Sequence, residues 1–140
     1  MNYKGIKDIK YTCCGCGTDI PFKGHSYNHK FCSNKCQAEQ KHATVMEEKR
    51  KLFDKGQLTF RRDIYKILVE RFGDRCSVCS ITEWNNKPIR LWVDHIDGDA
   101  SNNKPSNFRL ICPNCDSQSD TFGAKNLGNG RKSKGMKMYG

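Results

Sequence analysis

From Gln37 to Lys55 the chain reads QAEQKHATVMEEKRKLFDK, with no Gly or Pro and with Ala43, Met46 and Phe53 near helical spacing among charged side chains. This pattern predicts a helix, and its charge marks a solvated connector more than a core element; Gly56 ends it. A second helix is predicted from an N-cap at Thr59 through FRRDIYKILVERF, with Ile64, Ile67, Leu68 and Phe72 on one face and Arg61, Arg62, Lys66 and Glu70 largely elsewhere. Gly73 closes it. The pattern then changes: IRLWVDH reads as a strand, IDGDASNNKPSN as a turn-rich loop, and FRLIC as a second strand. PNCDSQSDTF opens a further helix with Pro113 in its first turn. The closing LGNGRKSKGMKMYG, rich in Gly and Lys, is predicted to be mobile unless a partner orders it.

These segments leave little apolar surface to bury. Hydrophobic residues make up 36% of 140 and charged residues 29%, so one modest domain or two small ones need a further staple. Nine cysteines supply it. The N-terminal MNYKGIKDIKYT has no apolar h-region, and no apolar run approaches the ~20 residues of a membrane span. An intracellular protein with reduced thiols is expected, in which paired cysteines are metal ligands, and the odd cysteine count argues against a closed disulfide set.

Cys76, Cys79, Cys112 and Cys115 form C-x2-C twice, 32 residues apart, bracketing the predicted strand–loop–strand. Two such knuckles complete a closed tetrahedral zinc site. Cys13, Cys16, Cys32 and Cys36 form a second quartet, C-x2-C-x15-C-x3-C. Cys14 competes with Cys13 there, and the two-residue gap favours Cys13; His25 and His29 offer alternate ligands within the loop, but four cysteines already fill the coordination shell, so both are read as surface histidines. Neither quartet leaves an open coordination position, so catalysis has to come from elsewhere.

That place is the loop between the halves of the second quartet. His95 stands at a predicted strand end beside Asp94, with Asp97 and Asp99 close behind. Hard oxygen donors suit Mg2+ or Mn2+, and an imidazole beside such a cation is placed to deprotonate water. Asp97 and Asp99 fit better as hydrogen-bonding turn acids, and Asn102 and Asn103 as loop-shaping residues. Trp84 and Trp92 are read as core packing in preference to base stacking.

The combination DRCSVC … VDHIDGD … NNKPSNFRLICPNC resembles the HNH endonucleases, in particular those of phages and mobile elements, over about residues 60–127. The resemblance implies an α+β protein with a small ββα-metal nuclease domain braced by a four-cysteine zinc site, cutting or nicking double-stranded DNA as a monomer or homodimer. Carried over by motif, His95 would be the general base, Asp94 a ligand of one catalytic Mg2+ or Mn2+, and Asn107 the residue fixing the His95 loop. Asp116, directly after CPNC, stands where the family most often has a histidine ligand, which implies a harder metal preference. The first quartet resembles an accessory DNA-binding zinc finger, making two structural Zn2+ in all. The expected organisation is a zinc finger over 1–40, a helical linker over 41–58, the nuclease domain over 59–127 and a basic flexible tail over 128–140.

Charge fits that picture. Residues 1–55 hold 11 Lys/Arg against 6 Asp/Glu, residues 56–123 hold 9 of each, and residues 124–140 hold 5 basic residues and no acid. Basic ends around a neutral centre suit a polyanion held by its flanks. Arg61, Arg62, Lys66, Arg109, Lys125, Arg131, Lys132 and Lys134 are the expected DNA contacts. A homing-type phage endonuclease in the cytoplasm of a bacterial or infected host cell, with no membrane association, is the expected role. The rivals are a non-catalytic zinc-dependent DNA-binding protein and an HNH nuclease serving restriction or DNA packaging.

Overall fold

A computed structural model describes residues 10–21 and 30–136 of the chain; His25 and His29 lie outside the described residues. It is a mixed α+β structure in two compact units, residues 1–48 and 49–140.

In the first unit, β1 (Lys10–Thr12) and β2 (Asp19–Pro21) pair antiparallel with Tyr11 opposite Ile20. Cys13, Ile20 and Cys36 form its small core, with Tyr11 and Phe31 packed on it. Helix α1 (Asn34–Asp54) begins three residues before the predicted Gln37. The reason is a cap: the Ser33 hydroxyl accepts from the Cys36 N–H at 3.1 Å, and the Ser33 carbonyl accepts from the Gln37 N–H. The last cysteine of the first quartet therefore rides on the first turn of α1. Gly56 does end the helix, at φ +68°, with its N–H on the Phe53 carbonyl.

The core of the second unit gathers Phe53, Leu58, the α2 (Arg61–Phe72) residues Ile64, Ile67 and Leu68, and Val93, Phe108, Leu110 and Ile111 of the hairpin described below. Phe53 is 1% exposed, so the end of α1 is a core element and not only a solvated connector. Thr59 is not the N-cap of α2. Extended Phe60 holds that position without a side-chain cap, and its carbonyl accepts from the Asp63 and Ile64 N–H groups. Asp63, buried in the first turn, favours the helix N-terminus electrostatically and meets Lys49 Nζ at 2.8 Å. Phe72 is 60% exposed, since the final turn runs past the core, and Gly73 ends the helix at φ +80°.

Only the second half of IRLWVDH forms the expected strand. The Ile89 N–H bonds back to the Thr82 carbonyl, beside a tiny hairpin of β3 (Glu83–Trp84) and β4 (Lys87–Pro88). Asn85 and Asn86 turn it with positive φ at both positions, the backbone of a tight two-residue connection. Strand β5 (Trp92–His95) then pairs antiparallel with β6 (Phe108–Ile111), setting Trp92 opposite Ile111, Asp94 opposite Arg109 and His95 opposite Phe108. Alternation buries Val93 and His95 and turns Trp92 outward. Trp84 and Trp92, at 60% and 47% exposed, are therefore surface residues, not core packing. Helix α3 (Pro113–Ser117) follows β6 directly. Pro113 takes its first turn, and the Cys112 sulfur caps it by accepting from the Cys115 N–H.

Candidate active site

The two cysteine quartets converge. Within each, the four sulfurs all lie within 4.8 Å of one another. Sulfur–sulfur distances of 3.4 Å for Cys13–Cys36, 3.6 Å for Cys16–Cys32 and 3.8 Å for Cys79–Cys112 are far beyond a disulfide bond. They are close to the roughly 3.8 Å edge of a tetrahedron with Zn–S of about 2.3 Å. The first cluster uses Cys13, while Cys14 is exposed. Gly15 is required there, because a Cβ would come within 2.5 Å of Cys36 Sγ.

Electrostatics agrees with the geometry. Backbone N–H groups, that of Cys16 foremost, pull Cys13 down to about 6, while its sulfur neighbour Cys13 drives Cys36 up to about 12. Burial pushes Cys76 up, but the N–H groups of Cys79, Cys112 and Val78 outweigh it and bring the thiol to about 6. Cys115, facing Cys79, rises to about 12. Four crowded sulfurs cannot all ionise unaided, and a central dication removes that conflict. Both donor sets fit structural zinc.

His95 ends β5, and the loop after it returns to Asn107, which leads into β6. Asn107 holds that loop at several points. Its Oδ1 accepts from the Asp97 N–H at 3.1 Å, and its Nδ2 donates to Asp97 Oδ1 and to the Asn102 carbonyl. Asp97 also accepts from the Asp99 N–H and from Asn102 Nδ2, while Asp99 accepts from the Ser101 N–H and hydroxyl. The two acids are thus occupied as turn-forming acceptors. Burial pushes Asp97 up, but the Asn102 and Asn107 amides carry it below its ordinary value. The Ser101 hydroxyl leads the groups holding Asp99 at about 2.

The His95 ring is 8% exposed and packs on Phe108 at 4.7 Å between centroids, with Phe108 stacked on Phe53. Its Nε2 lies 3.3 Å from Asn103 Oδ1. An amide oxygen only accepts, so a hydrogen bond at this contact pairs with the Nε2-protonated tautomer, the one with its lone pair on Nδ1. Burial holds the imidazole below its ordinary value and the Arg61 charge adds to this, against the Asn103 contact and the Asp97 and Asp94 carboxylates. Sequence reasoning treated Asn103 as loop-shaping and missed this contact, since nothing periodic marks it.

Asp94 and Asp116 are close enough for the charge of one to raise the pKa of the other: burial first, then Asp94, pushes Asp116 up, and Arg109 partly offsets them. Arg109 Nε donates to Asp94 Oδ2 at 2.7 Å, across the strand pair. Asp94, His95 and Asp116 do not form a third compact three-ligand cluster among the described residues. Two half-buried, mutually repelling carboxylates fit Mg2+ or Mn2+, because hard cations commonly take one or two protein carboxylates and complete their shell with water and substrate phosphate.

The expected DNA-contacting cations fall in different places. Arg61 and Arg131 line a cavity of ≈ 140 Å³ together with Asp94 and His95. Arg109 is engaged by Asp94, and Lys134 meets Asp99 at 3.3 Å. Arg62, Lys66, Lys125 and Lys132 are exposed. No helix among the described residues is long and apolar enough to cross a membrane.

A small α+β unit with a histidine-ended hairpin, braced by a four-cysteine cluster, is the setting in which the comparisons with known proteins fall. Over 54 residues the chain is 41% identical to the H-N-H endonuclease F-TflIV of Escherichia phage T5, a match covering 39% of this chain and 24% of that protein. The chain thus matches about a quarter of the length of this curated relative, and the similarity supports a relationship to the HNH endonucleases. No protein-family model matches the chain. No solved structure matches it either.

Proposed function

We propose that this chain is a divalent-metal-dependent DNA endonuclease of HNH type, in which β5, β6 and α3 form a ββα-metal site. The observation that carries this reading is the convergence of His95, Asp94 and two arginines on one cavity, in a chain partly similar to a phage HNH endonuclease. Asp94 and Asp116 would hold the catalytic cation; Asp116 takes the place that a histidine has in most HNH motifs. When bound, such a cation would supply charge neutralisation to the reacting phosphodiester. His95 accepts the proton of the attacking water on Nδ1, while Asn103 keeps the proton of the other nitrogen in place. Burial favours the neutral imidazole, the form that can act as a base near neutral pH. Asn107 fixes the loop through Asp97 and Asn102, so that His95 is presented in one geometry. The two four-cysteine clusters are structural zinc sites, the first belonging to an accessory DNA-binding finger. A homing role in phage DNA is the biological setting we favour.

Supercoiled-plasmid cleavage by the zinc-loaded chain with Mg2+, Mn2+ or no added ion tests this. His95→Ala is expected to lower the rate by about 10²–10⁴, the usual contribution of a positioned base. Asp116→Ala is expected to lose metal-dependent cleavage as well. Wild-type protein that leaves phage and host DNA supercoiled under all these conditions would exclude the nuclease reading. Asp116→Ala cutting like wild type while His95→Ala does not would exclude the metal assignment alone.

A further inference from the structure

The C-terminal segment, read from composition as a mobile tail, is tied to the His95 loop. Asn126 Nδ2 donates to the Gly98 carbonyl at 2.8 Å, the Ala100 N–H to the Asn129 carbonyl at 3.1 Å, and Lys134 Nζ meets Asp99. Arg131 Nη2 donates to the Thr59 carbonyl at 3.2 Å, just before α2. Gly98 makes the closure possible. At φ +76°, a Cβ there would come within 2.5 Å of Asn126 Oδ1.

The result is a cavity with His95 and Asp94 on one side, Arg61 from the start of α2, and Arg131 and Asn126 from the C-terminal segment. Arg61 still reaches solvent, yet the protein mass around its guanidinium lowers its pKa, and the Arg131 charge lowers it further. Two like charges within Coulombic reach destabilise each other unless an anion lies between them. Asp94 is an acid whose charge acts on Arg61, and one of its oxygens is already held by Arg109. At ≈ 140 Å³ the cavity is well below the ~300 Å³ of a site that encloses a whole small-molecule ligand. A phosphate-sized group on an extended strand fits it, and guanidinium groups are the side chains best suited to phosphate oxygens.

We propose that Arg61 and Arg131 form a phosphate clamp that seats one phosphodiester group of a DNA strand beside His95, so that the C-terminal segment is part of the reaction site. The identity of the substrate rests on the nuclease reading; the clamp itself is a claim about anion binding. It separates these two arginines from Arg62, Lys66, Lys125 and Lys132, whose exposed charges steer a polyanion without placing any one phosphate.

The test titrates the zinc-loaded chain, without Mg2+, with thymidine 3′,5′-bisphosphate, and measures plasmid nicking with Mg2+ in parallel. Variants are Arg61→Ala, Arg131→Ala, Arg131→Lys and, as a charge control, Lys87→Ala on the exposed β3–β4 hairpin. Either alanine variant is expected to weaken bisphosphate binding about 10- to 100-fold, the scale of one lost charge-assisted hydrogen bond. Lys87→Ala is expected to bind as wild type, and Arg131→Lys to fall between. The Arg61 side chain makes no hydrogen bond among the described residues, so Arg61→Ala still decides the matter should Arg131→Ala fail to fold. Wild type that does not bind the bisphosphate overturns the clamp, as does a folded Arg61→Ala that binds it unchanged. Wild type that binds through both arginines but never nicks DNA leaves the clamp standing and removes the nuclease reading.

Discussion

His95 shows how a side chain's surroundings set its chemistry. Its ring lies against Phe108, and burial is the largest influence on its proton affinity, depressing it below 6.5. A base with a depressed pKa stays neutral to lower pH, so the acid limb of a plasmid-cleavage pH profile is expected below the ordinary imidazole value. The same shift has a stability consequence of definite sign. As pH falls below 6.5 the unfolded chain binds the proton before the folded one, so this group lowers stability on acidification and leaves it untouched above that pH. Urea midpoints at pH 7.5 and 5.5, compared between wild type and His95→Gln, check it: the drop on acidification is expected to be smaller in the variant.

Among elements, the loop between β5 and β6 is where local chemistry and long-range packing meet. Asp97, Asp99, Asn102 and Asn107 give it an internal hydrogen-bond network that their sequence order already favours, since Asx side chains readily bond backbone two residues on. Gly98 belongs to a different category. Its positive φ and the 2.5 Å approach to Asn126 leave no room for a side chain. Gly98→Ala is expected to cost about 1–3 kcal/mol, read as a lower melting temperature. Amide exchange should also quicken in residues 126–134, because the strained position and the docked segment share one contact. The ends of α1 follow similar logic: Ser33 starts the helix and Gly56 stops it, and Phe53 sits in the last turn where it can reach the core.

At the scale of the whole molecule, each of two small units with a thin core carries a four-cysteine cluster whose geometry fits zinc. Structural zinc in finger-sized peptides binds with apparent free energies of about 10–16 kcal/mol, against the ~5–15 kcal/mol of net stability typical of a domain. Removing the metal should therefore unfold both units. With a strong chelator under reducing conditions, the far-UV circular dichroism and the cooperative melt are expected to be lost, and zinc to restore both. Mg2+ should not substitute, because thiolates select soft or borderline ions. The charge of +10 adds a long-range attraction for polyanions that is concentrated in the flanking residues.

Much of this was legible because some constraints are local. Zinc tetrahedra impose short spacings, so both cysteine quartets could be read from the chain, down to the preference for Cys13 over Cys14. The hairpin bearing Asp94 and His95 was legible because alternation of buried and exposed side chains is a property of a strand itself. Helix ends were read less well, since Ser33 and Phe60 act as caps through backbone geometry that composition does not display. The two tryptophans were misjudged because size and apolarity do not say which face of a short strand meets the core. Least legible was the cavity. Thr59 and Arg131, 72 positions apart, meet through the closing of a Gly- and Lys-rich segment over the His95 loop. The sequence by itself determined the two cysteine quartets, the strand pair and the candidate base, because bond lengths and side-chain periods act over a few residues. Only the tertiary structure decided that Asn103 holds the histidine, that Arg109 is engaged by Asp94, and that Arg61 and Arg131 share one cavity, because those contacts arise from packing between segments distant in the chain.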